Sequence, residues 1–342
     1  MKVCIYGAGA IGGWIGVHLA QTGHEISVVA RGATLTALQQ HGLQCVQSQA
    51  SNAKLTASVK VSANPADLGP QDLVIVAVKA PAMADVAKGI APLLGPHTMV
   101  MTAMNGVPWW FFQGFGGPLQ NTSLSTIDPD GAIAKAIPAH HVVGCVVHAS
   151  CALDAPGVVR HHFGQGLILG EPAEQTGEVS QRVAQLVADL QAAGFNASAS
   201  AQIQKDVWYK LWGNMTVNPI SAFTGATTDR ILDDPLVRQF LSGVMLEAKS
   251  IGAKMGIEIA QDPEDRHAVT RKLGAFRTSM LQDVDAGKPV ELDALVTAVC
   301  WAIVREDRAQ ELAKLAVDEG GFGNYNDKVS KIRNRCMGTL RD

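Results

Sequence analysis

The chain has 342 residues, 47% of them hydrophobic, which allows a large core and suggests two domains more readily than one. A formal net charge of -3 without a long basic run argues against nucleic acid as the main partner, and no stretch is long and apolar enough to span a membrane. Its six cysteines (Cys4, Cys45, Cys145, Cys151, Cys300, Cys336) show no C-x-x-C spacing, which points to a reducing cytoplasmic setting and no structural metal.

The chain opens with an apolar run, Val3-Cys4-Ile5-Tyr6, that flows into Gly7-Ala8-Gly9-Ala10-Ile11-Gly12. This is G-x-G-x-x-G where a buried parallel strand should turn into a helix. The first glycine permits a tight turn, the second lets backbone approach a pyrophosphate, and the third lets helix and strand pack closely. Phosphates then sit on the unpaired N–H groups at the helix N-terminus. No formal charge occurs between Lys2 and Glu25, which superficially resembles a signal peptide, but glycines at strand-turn-helix offsets make secretion the poorer reading.

A second strand over residues 25–30 ends at Arg31, about 20 residues past the glycines, where an NAD-binding unit would carry an acidic residue on the ribose 2′-hydroxyl. A guanidinium suits a 2′-phosphate instead, so NADP(H) is the expected cofactor. Residues 35–41 read as a short helix stopped by Gly42, followed by β-prone stretches at 44–48 and 55–61. The continuous apolar run 73–78 predicts a parallel strand covered on both faces and ends in Lys79. A helix over 83–91, a turn at Gly95-Pro96 and a strand over 99–102 lead to Asn105-Gly106. Strands alternating with helices imply a doubly wound sheet, in which ligands collect at the carboxyl ends of strands. Gly9, Arg31, Lys79 and Asn105 all fall at such ends.

Residues 142–169 are β-rich and broken by Ala155-Pro156-Gly157, suggesting antiparallel additions to the sheet. Val179, Val183, Leu186, Val187 and Leu190 recur at helical spacing, and Gly194 ends that helix. The Ser/Ala-rich piece 196–200 reads as a hinge, giving a Rossmann-type domain over 1–200 and an all-helical domain over 201–342. In the second, Phe240, Val244, Ala248 and Ile251 mark one long helix, and Leu292, Leu295, Val296, Val299 and Ile303 another. The apolar helix 236–255 is equally suited to pairing two copies as a homodimer or to packing within one chain. The tail after Glu319 has no clear apolar period. With a helical domain beside a dinucleotide-binding one, a substrate is expected in the cleft between them.

Lys210, Asn214 and Asn218 recur at four-residue intervals, which on a helix places them on one face. One cation and two amides form a cradle for a 2-keto acid; the bland alternative is a solvated polar face. Asparagine is a mediocre helix former, so two at this interval call for an explanation. The cluster Pro108-Trp109-Trp110-Phe111-Phe112 offers a pocket cover or, more commonly for aromatics, packing. The pairs His140-His141 and His161-His162 lack ligand spacing, so no metal is expected. A short-chain dehydrogenase would need Tyr-x-x-x-Lys, but Gly213 stands four residues beyond Tyr209.

Together, Gly7 to Gly12, Arg31, Ala77-Val78-Lys79, Asn105-Gly106, Lys210-x-x-x-Asn214-x-x-x-Asn218-Pro219, Ser279-Met280-Leu281-Gln282-Asp283 and Glu291-Leu292-Asp293 resemble the ketopantoate reductase (2-dehydropantoate 2-reductase) family, in order and at similar intervals, up to about Val304. The resemblance implies a cytoplasmic, NADPH-dependent 2-keto acid reductase of pantothenate biosynthesis. It implies Lys210 as proton donor beside Glu291, with Asn105, Asn214, Asn218, Thr228 and Ser279, Met280, Leu281 and Gln282 on the substrate. It implies Gly7, Ala8, Gly9, Ala10, Ile11, Gly12, Arg31, Lys79, Asn105, Ser150 and Glu291 on the cofactor. The sequence departs from the family at Met104, where a glutamine is common. Ser150 and Thr228 replace an alanine and an asparagine, and no Gly-Val-x-x-Pro stretch follows Val304. A β-hydroxyacid dehydrogenase and a non-catalytic NADPH sensor on the same scaffold are the rival readings; the Ser279 turn and Glu291 favour the reductase.

Overall fold

The computed structural model describes residues 1–50, 52–116, 119–172 and 178–300. They fall into two compact units, one of residues 1–116 and 120–207, the other of Leu119 and the chain from Trp208.

The first unit is built on β1 (Lys2–Tyr6), α1 (Ala10–Gln21), β2 (Glu25–Val29), α2 (Gly32–His41), β3 (Leu43–Gln47), β4 (Ala53–Ala57), β5 (Lys60–Ser62) and β6 (Leu73–Val76). It continues through α3 (Met83–Gly89), β7 (Met99–Thr102), α4 (Ala132–Ala136), β8 (Val142–Ala155), β9 (Val158–Gly170), α5 (Gln181–Ala192) and β10 (Asn196–Ala199). Six strands run parallel in the order β5-β2-β1-β6-β7-β8, the 3-2-1-4-5-6 order of a dinucleotide-binding sheet. Every residue of β6 and β7 is buried, as their uninterrupted apolar sequences predict for strands covered on both faces. Strand order reverses between β1 and β6, and there the glycine-rich turn lies.

Past β8 the sheet turns antiparallel. Gly157, at φ +76°, closes a β8–β9 hairpin; β9 then pairs parallel with β3, whose antiparallel partner β4 forms the edge. The expected antiparallel addition is thus the hairpin, while the first residues of β8 extend the parallel sheet beside β7. This arrangement encloses α1, in which residues 12–19 are all buried. A Cβ on Gly13 would sit 2.7 Å from Val159, and one on Gly16 would sit 3.0 Å from Ile5 and 3.2 Å from Leu43. Small residues on α1 therefore let it fit between β1 and the β3/β9 layer. Trp14 completes the packing, stacked on His161 and edge-on to Phe195.

Two expectations change. Residues 196–199 are not a hinge but β10, paired parallel with β9, and the Ser200 N–H continues the ladder to the Leu169 carbonyl. The division between units falls instead between Val207 and Trp208, inside α6 (Ile203–Thr224). Val179 lies outside α5 and is exposed; the helix starts at Ser180, whose hydroxyl caps the Val183 N–H, and Val183, Leu186, Val187 and Leu190 form its buried face.

The second unit contains, among the described residues, only helices: the remainder of α6, α7 (Thr228–Asp233), α8 (Pro235–Lys254), α9 (Pro263–Arg271), α10 (Ser279–Asp285) and a π-helical turn, Asp293–Thr297. α8 buries Leu241, Val244, Met245 and Ala248, and the Trp212 indole N–H donates to the Met245 carbonyl at 2.6 Å, locking α6 to α8. Proline at the first position and an Asp262/Asp265 capping box start α9. Leu292, read as part of a buried stripe, is exposed; Leu295 and Val299 are buried, and Ile303 and the tail after Glu319 lie outside the described residues. None of the described helices is long and apolar enough to cross a membrane.

Candidate active site

The three glycines of the first turn have distinct geometries. Gly7 adopts φ +99°, and a Cβ there would meet Val78 at 2.6 Å. Gly12 lies so close to the preceding loop that a Cβ would stand 2.3 Å from the Gly7 carbonyl oxygen. Gly9, the N-cap of α1, has an ordinary φ of -76°, and a Cβ there would meet nothing nearer than the Ala77 carbonyl at 3.9 Å. The fold requires glycine at 7 and 12 but leaves open space at 9. No side chain caps α1 and its first turn carries no acid, so its leading N–H groups present a positive end to that space. The residues fit a dinucleotide pyrophosphate.

Around this turn the parallel strands deliver polar groups. Arg31 follows β2 as the exposed N-cap of α2, and its charge acts on the buried Tyr6 hydroxyl at the end of β1, whose pKa burial nevertheless raises. Lys79, exposed, follows β6, and Asn105, half-buried, follows β7 before Gly106 turns the chain at φ +80°. Ser150 sits in the irregular stretch of the β8–β9 ladder, opposite Phe163. Ala8 is buried, while Ala10 and Ile11 are half-buried in the first turn of α1. Met104, partly buried, packs against the core.

The aromatic cluster that follows is core. Trp109, Trp110, Phe111 and Phe112 are at most 2% exposed. The Trp110 N–H donates to Thr102 at 3.1 Å, and its ring fills the space left by the missing side chain of Gly144. The histidines are also structural: His141 bonds the Thr98 carbonyl, and His161 bonds that of Gly164. Among the described residues no group of three or more His, Cys, Asp or Glu is arranged to hold a metal ion.

In the second unit, α6 carries Lys210, Asn214 and Asn218 on one face. None is exposed: Lys210 and Asn214 are half-buried and Asn218 is 7% exposed, so the row is not a solvated polar face. α6 is sheltered almost all round, with Trp208, Leu211, Trp212 and Met215 buried on its other sides and Val217 buried beside the row itself. Thr278 caps α10 by accepting from the Leu281 N–H at 3.2 Å, a role the sequence reading missed one residue upstream. The cap leaves Ser279 half-buried and Met280 and Leu281 buried, while exposed Gln282 bonds the Arg277 carbonyl. Glu291 is 5% exposed. Thr228 is 1% exposed and its hydroxyl donates to the Gly274 carbonyl at 2.7 Å, which leaves only its lone pairs for another partner.

A further residue, Arg266 of α9, lies against the same helix. Its guanidinium stands 5.7 Å over the Tyr209 ring, and a Cβ on Gly213 would come within 2.6 Å of its Nε. Burial lowers its pKa from the usual arginine value, with the Tyr209 hydroxyl opposing.

A 3-2-1-4-5-6 sheet with an open glycine cradle at its switch point, joined to a helical unit bearing a sheltered lysine-amide row, defines a two-domain, Rossmann-type oxidoreductase. Residues 3–109 match the family model "Ketopantoate reductase PanE/ApbA" and residues 202–302 its C-terminal counterpart. A 2-dehydropantoate 2-reductase of Mesorhizobium japonicum is 44% identical over 300 residues, covering 87% of this chain and 90% of its own. A Ralstonia solanacearum protein assigned to the ketopantoate reductases has a crystal structure that is 55% identical, covers 88% of this chain and 90% of its own, and superposes with a TM-score of 0.83. The 2-dehydropantoate 2-reductase of Methylococcus capsulatus, at 26% identity, covers 94% of this chain and 98% of its own with a TM-score of 0.74. The chain belongs to the ketopantoate reductase PanE/ApbA family.

Proposed function

We propose that the chain catalyses NADPH-dependent reduction of a 2-keto acid to the 2-hydroxy acid, with 2-dehydropantoate, the substrate in its relatives' names, as the first candidate. The observation that carries this reading is the Lys210-Asn214-Asn218 row, withdrawn from bulk water along one face of α6. The reduced nicotinamide, when bound, supplies hydride to the keto carbon. Charge then develops on the ketone oxygen, and Lys210 is the group that meets it, donating a proton as general acid and stabilising the alkoxide electrostatically. Asn214 and Asn218 each offer an amide donor and acceptor, so they hold and orient the substrate without competing for the proton. The Ser279 hydroxyl and the backbone that Thr278 rigidifies complete the substrate contacts.

On the cofactor side, Gly9 and the α1 N-terminus take the pyrophosphate, and Arg31 takes the ribose 2′-phosphate that distinguishes NADP from NAD. Lys79, Asn105, Ser150 and Glu291 line the remainder. Dimerisation would use α8, where Leu236 and Leu246 are exposed. The test is to follow loss of reduced-nicotinamide absorbance with a panel of 2-keto acids, using NADPH and NADH in parallel. Turnover with NADPH well above that with NADH is expected. NADPH binding without turnover of any 2-keto acid would instead support a sensor.

A further inference from the structure

Arg266 is half-buried, with its guanidinium turned against α6. Among the described residues it has no ion pair, and its buried Nε has no hydrogen-bond partner. The acids nearest in sequence are committed elsewhere: Glu264 pairs with Arg238 at 3.3 Å, Asp262 with Lys249 at 3.4 Å, and Asp265 caps the Asp262 N–H at 2.9 Å. Its placement is nonetheless specified. Tyr209 supplies a ring face for the guanidinium, and Gly213 supplies the missing side chain that admits it. Glycine costs helix stability relative to alanine in mid-helix, and α6 accepts that cost at the position the guanidinium occupies.

On a helix, residues three apart are surface neighbours, so Gly213 lies beside Lys210, the first residue of the row. The guanidinium therefore rests next to the row to which the keto oxygen is assigned. A 2-keto acid carries its carboxylate on the carbon adjacent to the ketone. An ammonium for one oxygen and a guanidinium for the neighbouring carboxylate suit that pair of groups chemically, and a guanidinium is the group best suited to a planar carboxylate.

We propose that Arg266 binds the substrate carboxylate and so selects 2-keto acids over neutral ketones, an inference that rests on the reductase reading above. The unpartnered Nε then has a reason: the anion that completes the site arrives with the substrate, and a resident acid would compete with it.

The test uses the full chain saturated with NADPH and two variants. Arg266→Gln removes the charge; Gly213→Ala keeps it but places a methyl group where the guanidinium lies, and alanine is the better helix former. Binding of oxamate, a non-reducible isostere of a 2-keto acid, is measured by calorimetry, alongside KM and kcat for the 2-keto acid. Both variants should weaken oxamate binding and raise KM by about 10- to 100-fold, the size expected for a lost charge-assisted hydrogen bond. They should retain the wild-type NADPH affinity and melting temperature, and kcat should fall far less than in Lys210→Ala. Oxamate binding that is equal in wild type and variants, or absent from wild type, overturns the proposal. Losses of oxamate and NADPH affinity by the same factor also overturn it, because they would mark a structural role. If wild type turns over no 2-keto acid yet binds oxamate through Arg266, the reductase reading fails and carboxylate recognition stands.

Discussion

Replacing Gly9 and Gly12 separately by alanine should divide ligand binding from folding at the first turn. At Gly12 the new methyl group would stand 2.3 Å from a backbone oxygen and 2.9 Å from Ile5, so α1 or β1 must shift. Overpacking of this kind costs about 1–3 kcal/mol, and a shift of a few degrees or more in melting temperature follows for a unit of this size. At Gly9 the methyl group meets only an oxygen 3.9 Å away, at a φ of -76° that alanine adopts freely. Stability there should hold or rise slightly, because alanine restricts the unfolded chain. The same methyl group occupies the approach to the α1 N–H groups, and loss of one or two charge-assisted hydrogen bonds, worth about 1.5–3 kcal/mol each, weakens NADPH binding by at least ~10-fold. Titration calorimetry with NADPH and thermal unfolding of the two variants give both quantities. NADPH affinity unchanged in Gly9→Ala, or a melting temperature depressed as much as in Gly12→Ala, would refute the reasoning.

Lys210→Ala should lower kcat by ~100-fold or more while leaving NADPH affinity near wild type; steady-state kinetics paired with direct cofactor titration checks this. Trp110→Ala should destabilise the first unit by about 3–5 kcal/mol, since it deletes a side chain only 1% exposed, and Trp110→Phe, the milder change, should leave keto acid selectivity intact. Denaturant titration and an activity profile over aliphatic and aryl substrates test the pair. His18 is neutral in the fold: its Nδ1 donates to the Ala193 carbonyl at 3.1 Å, and burial lowers its pKa below the usual 6.5. As pH falls below about 6.5 the unfolded chain takes up a proton that the folded chain refuses, so stability is full above that pH and lost below it. His18→Gln should therefore flatten the decline in melting temperature between about pH 7.5 and about pH 5.5.

The sequence disclosed the parts of this molecule whose causes are local. A run such as Leu73-Val74-Ile75-Val76 is apolar at every position because both faces are covered, and it can be read without knowing by what. The glycine turn and the four-residue interval of Lys210, Asn214 and Asn218 are equally local. β10 was not legible. Asn196-Ala197-Ser198-Ala199 has the composition of a linker, and it becomes a strand because the edge of β9 offers it a ladder. The division between units falls within one helix, so no change of composition marks it. Thr278 hid beside a more familiar neighbour, and Arg266 reads as an ordinary surface arginine in Glu-Asp-Arg-His. The trace it leaves is in its partner: Gly213, a glycine in the middle of a helix.

Glycines in this fold sort by what their absent side chain would touch. At Gly12 and Gly42 it would strike backbone, 2.3 Å from the Gly7 carbonyl and 2.4 Å from that of Ala57, so those positions serve the fold. At Gly23 and Gly69 it would touch nothing, but positive φ angles explain the residue. Gly9 has neither crowding nor a positive φ, and unlike Gly243, which shares both traits on the exposed side of α8, it sits half-buried at a strand-to-helix turn. Gly213 is the remaining kind, since its missing Cβ is replaced by the mobile end of an arginine rather than by a rigid wall. Neither packing nor backbone conformation accounts for the glycine at Gly9. On the reading proposed above, Gly9 leaves room for a ligand, and Gly213 leaves room for the side chain that would receive one.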